Sequence, residues 1–187
     1  MRTCIVIAAS AALALAMPAG SSTSSGGQTV TKTPPVTLHI PVSIRTEHEA
    51  IHSALEEATR IPGRVGEAAT ALAKVLHPHF VREEEIALPP LGLLPTLAAG
   101  NAVADPPAVL AMTDTLKREM PQMLTDHKGI RAAVEQLRVV ASAAKDAKVE
   151  KLAEELALHA RTEEEVLYPA AMLVGDIVRT RTQPARR

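Results

Sequence analysis

Two stretches of this chain are near-copies of one another: HPHFVREEEIALPP from His77 to Pro90, and HARTEEEVLYPAA from His159 to Ala171. Each holds a His followed four residues later by a Glu, His79 with Glu83 and His159 with Glu163. On a helix, a spacing of four leaves two side chains about 40° apart around the axis and one turn along it, so both members of each pair project from one face. A second echo lies upstream of each: Glu47-His48-Glu49-Ala50-Ile51 resembles Asp126-His127-Lys128-Gly129-Ile130. His79 follows His48 by 31 residues and His159 follows His127 by 32. The chain therefore reads as two helix hairpins, each with one His on its first helix and a His-x-x-x-Glu on its second.

Apolar periodicity places the helices. Ile44, Ile51, Leu55 and Ala58 recur at helical spacing over about 44–59, with Ser43 as N-cap, and the run stops at Ile61-Pro62-Gly63. A second helix spans about 65–88 with Pro78 inside it and Pro89-Pro90 at its end. The apolar, Pro- and Gly-punctuated connection Leu91 to Pro107 predicts a lid over one end of the fold, with a helical turn near Leu94 to Ala99. The helical pattern resumes at about Ala108 and bends at Pro121; the third helix is counted from there to about Ala144. The fourth runs from about Lys145 to Val178, with a second kink at Pro169. Short connections within each hairpin make the expected fold all-α: an antiparallel, up-and-down four-helix bundle over residues 43–178. With one Phe, one Tyr and no Trp, aliphatic side chains must fill its core, and a platform of stacked aromatics is excluded.

The ends read differently. Residues 1–19 carry a single Arg followed by an apolar run too short to span a bilayer and closing on small residues, the pattern of a signal peptide, which predicts an extracytoplasmic location. Residues 20–42 form a Ser-, Thr-, Gly- and Pro-rich linker, and 179–187 a basic tail. The only cysteine, Cys4, falls in the leader, so a mature chain has no thiolate to offer and any metal must be held by nitrogen and oxygen. The net charge of -1 argues against a nucleic-acid partner, no membrane association is expected once the leader is cleaved, and nothing indicates a protein partner.

The six repeated residues carry the chemistry. His48, His79, His127 and His159 each fall inside an apolar stripe, and Glu83 and Glu163 fall there too. A lone core His is ordinarily just hydrogen-bonded and a Glu triplet is ordinarily a solvated face, but six matched positions on four helices would bury charge at a cost of several kcal/mol per group without partners. A cation supplies the partner. Six ligands with two carboxylates exceed one tetrahedral zinc and suit two ions bridged by the glutamates, iron first with manganese or zinc as substitutes, and with open positions for O2 or another small ligand. His52, one turn after His48, is weighed as a fifth imidazole against an outer or surface role. His77 faces away from His79, His39 precedes the bundle with no role, and Tyr168, near the open metal positions and so a motive for redox chemistry, is read first as a packing residue at a helix end.

Taken together, Glu47-His48-x-x-Ile51, His79-Phe80-x-x-Glu83-Glu84, Asp126-His127-x-x-Ile130-Arg131 and His159-x-x-x-Glu163-Glu164-x-x-Leu167-Tyr168-Pro169 resemble the hemerythrin-like (HHE cation-binding) family over roughly residues 48–172. The resemblance implies a four-helix bundle with a non-haem di-iron centre that binds O2 or a related small ligand, carried onto His48, His79, Glu83, His127, His159 and Glu163. Hemerythrins that carry oxygen look like seven-ligand sites with five histidines; where they place a second His one turn along the third helix this chain has Arg131, and where they place an Asp on the fourth it has Glu163. A small-ligand or iron-handling protein is therefore expected ahead of a di-metal redox enzyme acting on peroxide, nitric oxide or ferrous iron, and ahead of a metal-responsive interaction bundle.

Overall fold

The computed structural model describes residues 38–183. The expected leader and most of the linker, together with the last four residues of the basic tail, lie outside that range. Among the described residues the regular structure is all helical: α1 (Val42–Thr59), α2 (Arg64–Ile86), a 3₁₀ turn at Pro89–Leu93, α3 (Leu94–Ala98), α4 (Pro106–Ala144), α5 (Ala147–Thr162), a π-helical turn at Glu163–Leu167 and α6 (Tyr168–Thr182). The segments α5, π turn and α6 follow one another without a break and form a single rod. Together with α1, α2 and α4 it makes four rods, with α1 against α2, α2 against α4, α4 against α5 and α6, and α1 closing on α5.

Local chemistry explains the boundaries. After α1 the chain turns through Gly63, at a φ of 80° that favours glycine, and Gly66 approaches so closely that an added Cβ would stand 1.9 Å from the Ile61 carbonyl oxygen. Helix α4 ends on Lys145 in the left-handed conformation, and Asp146 caps α5 by accepting from the Val149 N–H at 3.1 Å, so two residues reverse the chain. Asp105 caps α4 in the same way through Ala108, ahead of Pro106 and Pro107 in the first turn. Helix α1, by contrast, starts at Val42 with Pro41 in the cap position and no side-chain cap, so Ser43 does not serve as one.

Three expectations about length change. Pro78 and Pro121 lie within unbroken α2 and α4, and Pro169 sits in the first turn of α6; all three are exposed, so the carbonyls they leave unpaired can turn to water. The third rod therefore begins at Pro106 rather than at Pro121. The fourth continues to Thr182, and Arg179 and Arg181 belong to it: Arg179 pairs with Asp114 on α4, and Arg181 donates to the Leu97 and Asn101 carbonyls.

The interior falls into three clusters. The largest, around Leu72, Leu137, Leu152 and Leu156, fills the end of the bundle near the two tight turns. A second, with Leu88, Leu116, Met123 and Tyr168, lies further along, and a third, Leu93, Leu97, Val109, Val174 and Val178, seats the 3₁₀ turn and α3 as the expected lid. No helix of the described residues is long and apolar enough to cross a membrane.

Candidate metal centre

Between the first and second clusters the aliphatic packing is interrupted by the six repeated residues. His48 comes from α1, His79 and Glu83 from α2, His127 from α4, His159 from α5 and Glu163 from the π turn. All six are 0–3 % exposed. Two overlapping groups have ligand atoms within 4.8 Å of one another: His48, His159, Glu83 and Glu163 form one, and His79, His127, Glu83 and Glu163 the other.

Both carboxylates are shared, and the atoms show how. Glu163 directs Oε1 at His159 Nε2 (3.0 Å) and His48 Nε2 (3.6 Å), and Oε2 at His127 Nε2 (3.5 Å). Glu83 directs Oε1 at His79 Nε2 (3.1 Å) and Oε2 at His48 Nε2 (4.0 Å). Each carboxylate thus offers one oxygen to each pair of imidazoles. Buried polar atoms are nearly always satisfied, yet His48 Nε2, His159 Nε2, Glu83 Oε2 and Glu163 Oε1 all lack a hydrogen-bond partner, and all four belong to the first group. Four unpartnered donor atoms converging on one point are what a cation would satisfy. The donor set, imidazole nitrogen with carboxylate oxygen, fits a divalent transition metal.

A second ring of carboxylates fixes the imidazoles from outside. Nδ1 of His127 meets Glu164 Oε1 at 2.8 Å, Nδ1 of His159 meets Glu47 Oε1 at 3.1 Å, and Nδ1 of His48 meets Glu84 Oε1 at 3.3 Å. Nδ1 of His79 faces Asp126 Oδ2 at 3.7 Å, too far for a full bond. A carboxylate at Nδ1 favours the proton on that nitrogen and leaves the Nε2 lone pair pointing inward, the tautomer a metal ligand needs. Each outer residue is the immediate chain neighbour of an inner one, which is the signal the acidic pairs Glu47-His48, Asp126-His127, Glu83-Glu84 and Glu163-Glu164 carried.

The electrostatics follow from that crowding. Burial would lower the pKa of His127, but the Glu163, Glu83 and Glu164 carboxylates outweigh it and lift the pKa to about 10. His159 is likewise opposed by burial and raised by Glu163, Glu83 and Glu47 to about 9. Burial would raise the pKa of Glu163, yet the His127, His159 and His48 imidazoles crowded against its carboxylate hold it well below the ordinary carboxylate range.

Tyr168 is a correction. Rather than merely packing at a helix end, its buried O–H donates to Glu83 Oε1 and lies 3.0 Å from His127 Nε2 and 3.3 Å from His79 Nε2. The π turn puts it there. On a regular helix, five residues advance about 500° and would leave residue 168 roughly 140° away from Glu163; here the Tyr168 N–H bonds back to the Glu163 carbonyl, so one wider turn returns the side chain to the same face.

A family model, the hemerythrin HHE cation binding domain, matches residues 39–171. The chain belongs to this family. Comparisons with curated proteins and with solved structures returned no match. As a hemerythrin-family domain it is a cation-binding bundle, and the buried His and Glu cluster is the part of it suited to that task. Two positions left open by the sequence now have places. Arg131 donates to Glu164 Oε1, the same oxygen that faces His127 Nδ1, so it anchors the outer ring and contributes nothing to the interior. His52 does not supply a fifth imidazole: it is exposed, its Nε2 lies 3.4 Å from His77 Nδ1, and its ring meets Phe80 edge-on, while Phe80 itself stacks on His48 at 4.1 Å. His39 lies ahead of α1, its backbone against Gly92.

Proposed function

We propose that this protein holds a pair of metal ions, iron first with manganese or zinc as substitutes, and uses them to bind O2 or a related small ligand or to handle iron, in an extracytoplasmic compartment. One observation supports it above the others: each of two buried carboxylates offers one oxygen to each of two imidazole pairs. His48 and His159 would hold one ion, His79 and His127 the other, with Glu83 and Glu163 bridging. Iron so bound supplies open coordination positions and a reversible change of oxidation state.

The protein's own residues do the rest. Glu47, Glu84 and Glu164 hold three imidazoles by Nδ1 and keep Nε2 available. Phe80 stacked on His48 closes one side of the cluster against water. On the other side, a surface cavity of about 570 Å³ lined by Lys74, Pro78, Arg82, Asp126 and Gly129 reaches His79, and we assign the approach of the small ligand to that side.

The test is metal content and an optical spectrum. Purified protein reconstituted with ferrous iron under inert gas is expected to retain two iron ions per chain and to develop a visible band on exposure to air that dithionite reverses. Protein that retains no iron, or iron with a spectrum indifferent to air, overturns the reading. Edman sequencing or the intact mass of protein exported from a host cell checks the location: removal of about the first 19 residues supports export, and an uncut chain refutes it.

A further inference from the structure

The two halves of the candidate centre are related by the internal repeat, yet one residue breaks the relation. Aligning His79 with His159 and Glu83 with Glu163 brings Leu88 opposite Tyr168. The backbone repeats as well, since the Leu88 N–H bonds to the Glu83 carbonyl at 2.9 Å just as the Tyr168 N–H bonds to that of Glu163. Both side chains are buried, 0 % exposed for Leu88 and 1 % for Tyr168. Only the tyrosine carries an oxygen, and it enters only the His79/His127 half.

Its position there is that of a ligand. Donor atoms at about 2.1 Å from one six-coordinate ion stand about 3.0 Å apart when adjacent. The Tyr168 oxygen lies 3.0 Å from His127 Nε2 and 3.3 Å from His79 Nε2, both adjacent-ligand distances, and it donates to Glu83 Oε1, so three of the four intended ligands of that half surround it. In the other half the corresponding atoms, His48 Nε2, His159 Nε2, Glu83 Oε2 and Glu163 Oε1, make no hydrogen bond; the closest approach there, His159 Nε2 to Glu163 Oε1 at 3.0 Å, lacks hydrogen-bond geometry.

Resting on the di-metal reading above, we infer that Tyr168 is a ligand of the metal ion held by His79 and His127, bound through its phenolate oxygen, and that the two metal positions are therefore chemically inequivalent. On loading, the Tyr168 O–H bond breaks, an oxygen–metal bond forms and the proton passes to solvent; no electron moves in this step. The His79/His127 position would gain a fifth protein ligand that the His48/His159 position lacks.

The chain is suited to a direct test because Tyr168 is its only tyrosine and it has no tryptophan. Zinc titrated into the metal-free protein is expected to raise the ultraviolet difference absorption of one tyrosinate, and ferric iron to give a phenolate-to-iron band in the visible. In Tyr168→Phe both signals are expected to vanish while the first ion still binds, with the second weakened about tenfold or more. Metal bound at two per chain with no tyrosinate signal in the wild-type protein, or a phenolate band that survives in Tyr168→Phe, overturns the assignment. Because the wild-type spectrum alone decides, the test stands even if the variant folds poorly. Failure to bind two ions at all would instead refute the di-metal reading itself.

Discussion

Three consecutive glutamates occur twice in this chain, and the structure gives the members of each triplet different work. Glu83 and Glu163 are buried between the imidazoles; Glu84 and Glu164, about 100° further around, face the Nδ1 atoms of His48 and His127. The third members leave the centre, Glu85 pairing with Arg82 and Glu165 lying exposed. The inner glutamates were legible from the sequence because the His-x-x-x-Glu spacing fixes them on a shared face. The outer ones carried only the weaker signal of standing next to an inner residue, because a half-exposed Glu beside an apolar stripe looks the same whether or not an imidazole on another helix meets it. Their role predicts the outcome of Glu164→Gln. Loss of the charged partner of His127, with Arg131 left unpaired, is expected to lower metal affinity about 10- to 100-fold while leaving the fold intact. Competition titration against a chelator, with circular dichroism as the check on folding, measures it; unchanged affinity would show that Glu164 does not act on the metal through His127.

The helices were the most legible part of the molecule, because apolar residues at a period of 3.6 and breaks such as Ile61-Pro62-Gly63 and Pro89-Pro90 mark them without reference to anything distant. What the pattern could not supply was the π turn. A regular wheel puts residue 168 on the outside, and only the seating of the rod against α4, with Ala171 and Val174 buried below the turn, rewards one wider turn that brings the phenol inward. The tightest point of that seating is Gly175, where an added Cβ would stand 2.2 Å from Thr113 Oγ1 on α4. Thr113 is fully buried and donates to the Val109 carbonyl, so it has little room to move. Gly175→Ala is accordingly expected to destabilise the protein by about 1–3 kcal/mol through overpacking, despite the better helix propensity of Ala. Urea denaturation with an unchanged m-value and a lower midpoint would bear this out, and a midpoint at or above wild type would contradict it.

At the level of the whole bundle, the buried cluster makes stability depend on pH and on metal in a coupled way. His127 and His159 have folded-state pKa values near 10 and 9, above the ordinary 6.5. In the metal-free protein the folded state therefore binds more protons, and the stabilisation this gives is fully present below about pH 6.5 and fades as pH rises through about 9 to 10. The thermal midpoint of the metal-free protein is expected to fall over that window. Metal requires those imidazoles neutral, so loading near neutral pH is expected to release protons, measurable as a dependence of calorimetric enthalpy on buffer ionisation heat, and to raise the midpoint through binding to the folded state alone. A midpoint that rises between pH 7 and 10 without metal, or loading without proton release, would contradict the charge arrangement.

Read as a string of residues, the chain already determined four helices, two hairpins and six inward-facing ligand candidates, since each depends on spacing along a single helix, and spacing is a local property. Whether His52 or Arg131 joined those six was not local. His52 turned to His77 across the α1–α2 surface, and Arg131 to Glu164 across the α4–α5 seam, because each had a partner on the neighbouring rod that no periodicity could reveal. Tyr168 was decided in the same way: an extra residue in one turn, held by packing between rods, converted an outward position into an inward one.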